Sequence, residues 1–276
     1  MDSTRTGRQL AAFGTQACTT AALAAVLLLA SAASLAQPLS AIPRAANGKP
    51  DLNGVWQALN SAHWNLEDHA ASQGPAIVLG AANSVAPGIG VIDGGTIPYL
   101  PAAKGQRDTN FANRLSADPE VKCFFPGVPR ATYLPHPFQI VQTDGEILVA
   151  YQFAGATRTI FMQDHTEAPV DSWMGWSNGR WDGDSLVVDV TGQNGQTWLD
   201  RAGNFASAGV HVVERYTLQG PNHIWYEATI EDPSVYSRPW KIGMPLYRRV
   251  EPNARLLEYK CVEFAEGVMY DHLRKR

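Results

Sequence analysis

From Pro137 onward this 276-residue chain consists of short runs that alternate apolar and polar side chains, separated by tight-turn sequences. A period of two puts successive side chains on opposite faces of a strand, so this pattern constrains the fold more than any other feature. Phe138–Gln142 and Glu146–Phe153 flank Thr143-Asp144-Gly145, and Asp-Gly is a hairpin signal. Gly179–Trp181 and Ser185–Val190 flank Asp182-Gly183-Asp184, a second such turn. His211–Leu218 and Ile224–Glu231 flank a longer loop, Gln219–His223. Trp240–Arg249 and Leu256–Phe264 flank Glu251-Pro252-Asn253-Ala254, which reads as a fourth hairpin, and Thr157–Gln163 is a further β-rich run. In Ile224–Glu231 one face is Ile224, Tyr226, Ala228 and Ile230, and the other is mixed. An apolar face opposite a mixed one marks a half-buried antiparallel strand.

Hairpins in series point to an antiparallel sandwich or barrel. The expected fold is all-β, an antiparallel up-and-down meander of about eight to ten strands closed into a lipocalin-like β-barrel, since closure removes exposed edges. A barrel of about eight strands can hold one small ligand. Before Pro137 the chain is rich in Gly, Pro, Ala and Asn. Only Asp51–Leu59 reads there as a strand and only Ala102–Arg114 as a short helix; Ala265–Leu273 reads as a second helix. One domain is therefore expected over 51–276, with a loop-rich wrap at 51–136 and the strand meander at 137–276. Long stretches of weak structure inside a domain are uncommon and usually functional.

The N-terminus reads as an address. Arg5 and Arg8 precede an apolar run densest at Ala22–Ala30, which ends in Ala33-Ser34-Leu35-Ala36. This is the three-part pattern of a secretory signal peptide over 1–36, cleaved near Ala36/Gln37; a membrane anchor is the alternative. Residues 37–50 read as a flexible leader. The expected location is periplasmic or secreted, without stable membrane insertion after cleavage. Of three cysteines, Cys18 falls in the leader. An exported compartment permits disulfides, so Cys123 and Cys261 are read as one long-range bridge, with two free buried thiols as the alternative. A net charge of −4 argues against a nucleic-acid partner, and only 17% charged residues with 9% aromatics excludes a disordered chain. Oligomeric state is left open.

Several stretches together resemble a widespread family of exported bacterial proteins. They are GKPDLNGVW (Gly48–Trp56), DPEVKCFFPGVPR (Asp118–Arg130), SNGRWDGDSLVVDV (Ser177–Val190), HVVERYT (His211–Thr217), YEATIEDP (Tyr226–Pro233) and LLEYKCVEF (Leu256–Phe264). The resemblance covers about Gly48 to His272. It implies a lipocalin-like barrel and brings no activity with it. Similar sequences read Asn-Phe-His-Ser with an acidic residue soon after, where this chain has Asn204-Phe205-Ala206-Ser207-Ala208. Any chemistry carried by that His and acid in relatives is missing at Ala206 and Ala208.

Cofactor and metal signatures are missing from the sequence. There is no HExxH, Cys-x-x-Cys, P-loop or G-x-S-x-G, and Gly88–Asp93 is a broken G-x-G-x-x-G in a Pro/Gly loop. No cofactor and no metal are expected. His211 and Glu214 share a helix face but fall on opposite faces of a strand, so they are not read as a metal pair. The candidate ligand-binding residues are His136 between two prolines, Trp173 and Trp176 in a loop-like stretch, Tyr226 and Tyr259 on apolar faces, and His211. Loop aromatics beside a barrel mouth are typical of pockets. Arg158, Asp189 and Glu263 are charged groups inside strand-like runs and are the candidate catalytic set, since a buried carboxylate is paired or has a raised pKa. Asp200-Arg201, Glu214-Arg215 and Glu231-Asp232 read as surface or turn charges. The expected function is binding of a small apolar or aromatic molecule, extended to a cofactor-free lyase, hydratase or isomerase if the three charged groups converge. A carbohydrate-binding or carbohydrate-active protein using the Trp-rich loop is the alternative, and a filled structural barrel is the third reading.

Overall fold

The alternating runs pair in sequence order around a ring. A computed structural model describes residues 41–74 and 76–273, all of which belong to one compact unit, Ala41–Arg276. The signal peptide, its Cys18 and the first leader residues lie outside the described residues. The barrel strands are β1 (Gly54–Ala58), β2 (Phe138–Gln142), β3 (Glu146–Tyr151), β4 (Thr157–Phe161) and β5 (Trp176–Asp182). They continue as β6 (Ser185–Thr191), β7 (His211–Gly220), β8 (His223–Glu231) and β9 (Trp240–Arg248). Each pairs with the next, and β1 closes the barrel by pairing with both β2 and β9. Trp56 fixes that closure: its indole donates to Leu52 O at 2.9 Å and lies under the Arg248 guanidinium, 4.3 Å away.

The expected all-antiparallel meander needs one correction. Strands β4 and β5 run parallel, held by Ile160 with Ser177 and Phe161 with Asn178. Parity is the reason. A ring of nine strands with up-and-down neighbours cannot alternate all the way round, so one adjacent pair must be parallel. The parallel pair also needs a long connection, which residues 162–175 supply. The seam closes because residue 179 is glycine: a Cβ there would come within 2.5 Å of Ile160 Cγ2 and 2.7 Å of Met162 Sδ.

A second correction concerns Leu256–Phe264, which is not a strand. The outer edge of β9 is already taken by β1, with Trp56 opposite Arg248, so no ladder is left for it. The segment instead runs irregularly over the outside, tied by Phe264 N to Val121 O at 2.8 Å and by a Cys123–Cys261 disulfide, Cα–Cα 5.7 Å. The helix after it is Ala265–Tyr270, and α1 of the wrap is Pro101–Ala112. Residues 41–50, read as flexible, are docked: Arg44 donates twice to Asp184 at 2.6 and 2.7 Å, and Asn47 donates to Asp144 at 2.8 Å. Among the described residues no helix is long and apolar enough to cross a membrane.

Candidate functional site

The inward positions of β7 and β8 follow from their alternation. Val212, Glu214, Tyr216 and Leu218 point in on β7, and Ile224, Tyr226, Ala228 and Ile230 on β8, all buried. Tyr216 faces Tyr226 across the strands, while small Ala228 faces Glu214. Arg158 reaches in from β4. Its Nη1 donates to Glu214 Oε2 at 2.6 Å, and its Nη2 to the Tyr216 hydroxyl at 2.9 Å. The other carboxylate oxygen accepts from Tyr216 at 2.9 Å and Tyr226 at 2.7 Å. One cation, one anion and two hydroxyls therefore form a closed, neutral network inside an apolar barrel. Burying a charge is tolerable only when it is paired and hydrogen-bonded in this way.

The electrostatics keep each proton in place. Burial works against the Arg158 charge, and Glu214 together with Tyr151 and Tyr216 more than compensates, so its pKa lies well above the usual arginine value. Burial and the neighbouring Glu214 charge push the Tyr216 and Tyr226 hydroxyls well above the ordinary phenol range. Both tyrosines stay protonated and act as donors. The Tyr151 and Thr132 hydroxyls and Arg158 Nε are also buried and, among the described residues, make no hydrogen bond of good geometry, although they lie near one another. Thr132 and Arg158 both act on the Tyr151 hydroxyl, so these unused polar groups gather at one place beside the network.

Where the parallel seam begins, the strands part. A cleft of about 570 Å³ opens there, within the range of small-molecule sites. Arg158 is in its wall, with Thr157, Thr159 and Phe161 from β4, and Trp176 and Ser177 from β5. The crossover supplies Trp173 and Met174. Gly175 turns the crossover into β5 at φ +66°, where a Cβ would come within 2.7 Å of Thr191 O. Trp176 stacks on Phe161 with ring centroids 4.6 Å apart, and Trp173 stacks on Phe124 at 4.8 Å. Trp173 also borders a neighbouring cavity of about 370 Å³, so it is a shared wall. Phe125 stands exposed at the same cleft.

Three sequence candidates therefore converge: Arg158, Trp173 and Trp176. Tyr226 joins them two hydrogen bonds further in, through Glu214. The others stand elsewhere. Asp189 is on the outer wall, where it pairs with His211 and lies 3.3 Å from Arg180. It lies on the strand face opposite the inward Leu186, Val188 and Val190 and is half-exposed, whereas Val187 and Ser185 on its own face are covered. Glu263 is exposed on the irregular C-terminal segment. Arg158, Asp189 and Glu263 are not brought together. His136 and Tyr259 pack on each other at 4.8 Å, with Phe153 beside both, outside the cleft; burial lowers the His136 pKa.

Glu214, read as a surface or turn charge, is the residue the sequence reading misplaced most; Asp200 and Asp232 are also buried but do stand at turns. The signal was available: Glu214 sits at the center of an otherwise apolar alternating face, between Val212 and Tyr216. His211 and Glu214 do fall on opposite faces, one half-exposed and one buried. Among the described residues no group of three His, Cys, Asp or Glu side chains is placed to hold a metal ion. The fold and cleft together define a closed nine-stranded β-barrel protein with an aromatic-lined lateral opening. Neither a scan against protein-family models nor a search of the curated proteins returns a match.

Proposed function

We propose that this is an exported small-molecule-binding barrel protein of the family its motifs resemble, and that its ligand is an apolar or aromatic molecule held in the seam cleft. The observation that carries this reading is the convergence of Trp173, Trp176 and the buried Arg158 on one opening of about 570 Å³. Aromatic faces supply large contact area at low entropy cost, and the fixed Arg158–Glu214 pair supplies a rigid polar floor. The acid–base chemistry expected of Arg158, Asp189 and Glu263 is not carried forward, because those groups stand on different faces. A carbohydrate is the second reading, favored by Asp171, Ser172 and Asn194 beside the same two tryptophans.

The test is native mass spectrometry of the protein exported with its own N-terminal segment and purified without detergent. A retained apolar mass that disappears in Trp173→Ala and Trp176→Ala supports the proposal. A retained sugar lost in the same variants supports the second reading. Protein without a bound mass, or a mass that both variants keep, overturns ligand binding in this cleft.

A further inference from the structure

A second cavity, of about 520 Å³, lies outside the barrel between the wrap and the C-terminal helix. Its apolar wall is Trp64 and Phe111 with Leu115, Val121 and Met269. Three guanidiniums and two carboxylates border it: Arg107, Arg114 and Arg201 against Asp118 and Glu266. Most of this charge is already committed. Asp118 holds the buried Arg130 through two hydrogen bonds, at 2.8 and 2.9 Å. Arg201 holds Glu120 at 2.7 and 3.1 Å, lies 3.5 Å from Glu266 and stacks 4.5 Å above Trp64. Arg107 pairs with Asp108 at 3.2 Å.

Arg114 is the exception. It donates to the Phe111 carbonyl at 3.0 Å and lies 4.3 Å from that ring, and among the described residues it has no carboxylate partner. An uncommitted cation thus stands at the rim of an aromatic-lined cavity of ligand size. A guanidinium matches the planar geometry of an anionic oxygen group, and a half-buried setting screens the attraction less than open water does.

We propose that this cavity binds a small amphipathic anion, an aromatic or alkyl body carrying one carboxylate or sulfonate. The charge meets Arg114, and the body lies between Trp64, Phe111 and Met269. This site shares no lining residue with the seam cleft, so the two proposals stand or fall separately.

Two fluorogenic probes with the same apolar body test it. Anilinonaphthalene sulfonate carries the anion and N-phenylnaphthylamine does not. Titrated into the full-length mature protein, the sulfonate binds about two- to fivefold tighter, the range of one partly exposed charge pair. Arg114→Gln removes that preference and leaves neutral-probe binding unchanged, Arg114→Lys keeps part of it, and Phe111→Ala weakens both probes. Equal affinity for the two probes, no binding of either, a preference that survives Arg114→Gln, or indifference of both to Phe111→Ala overturns the proposal.

Discussion

Arg158 on β4 and Glu214 on β7 meet inside the barrel at 2.6 Å, their side chains 2% and 0% exposed. Between their strands lie β5 and β6, so this pair ties the parallel seam to the antiparallel wall opposite. Removing one partner leaves a buried charge without its counterion, which costs about 3–5 kcal/mol. Glu214→Gln and Arg158→Met are therefore each expected to lower stability by about that amount in urea unfolding. The double variant Arg158→Met/Glu214→Leu recovers part of it, because no uncompensated charge is left buried, although the Tyr216 and Tyr226 hydroxyls lose their acceptor. Double-variant stability at or below that of the worse single variant would contradict this account.

Gly179 controls the seam in a different way. A methyl group there meets Ile160 and Met162 at 2.5 and 2.7 Å, and the parallel pair has little ladder to resist being pushed apart. Overpacking of this kind costs about 1–3 kcal/mol. Gly179→Ala should lower the denaturation midpoint and speed backbone amide exchange at Ile160 and Phe161, with β7 and β8 unaffected. Exchange that rises equally in all strands would mean the glycine serves the whole barrel.

Much of this barrel was legible because hairpins are local. The turns at Asp144-Gly145 and Asp182-Gly183 and the alternation in Ile224–Glu231 each report on neighbors a few residues away. The Cys123–Cys261 bridge was legible from parity and compartment rather than from shape. What escaped depends on the count of strands around the ring. An odd strand count, nine here, forces the parallel pair, and the pairing of β1 with β9 leaves Leu256–Phe264 without a ladder. Asp189 and Glu214 were misjudged for a related reason: alternation gives two faces and does not say which one points inward. Asp189 stands among valines and Glu214 between valines and Arg215, and the closure of the barrel decides which is buried.

The disulfide holds the C-terminal segment where few other bonds do. Cys123 and Cys261 are 138 residues apart, and the segment between β9 and the last helix has no strand partner. Cys123→Ser/Cys261→Ser is expected to cost about 2–5 kcal/mol, the range for native bridges in exported domains. Because the tethered helix walls the wrap cavity, limited proteolysis should cut first between Leu256 and Phe264 in the variant, and not in the oxidized protein. Unchanged cleavage sites would show that Phe264 and the helix are anchored without the bridge.

His63 gives the wrap a pH dependence whose sign follows from its burial. Its pKa is lowered from about 6.5 to about 4, chiefly by burial and then by the nearby Arg201, with Arg130 and His136 adding and Glu120 opposing. A depressed folded-state value means the unfolded chain takes up the proton first as pH falls. The stabilization is complete above pH about 6.5 and is lost between there and about 4, amounting to about 3 kcal/mol. His63→Phe removes a titrating ring whose Nδ1 has no hydrogen-bond partner among the described residues and keeps the contact with Trp64. The difference in unfolding free energy between the two proteins should therefore shift toward the variant as pH drops from 7 to 4. Taking that difference also removes Asp200 from the slope, since its carboxyl, which burial holds up at about 6, titrates in both proteins. Parallel stability curves over this window would show that His63 is already protonated, or already solvated, in the folded state.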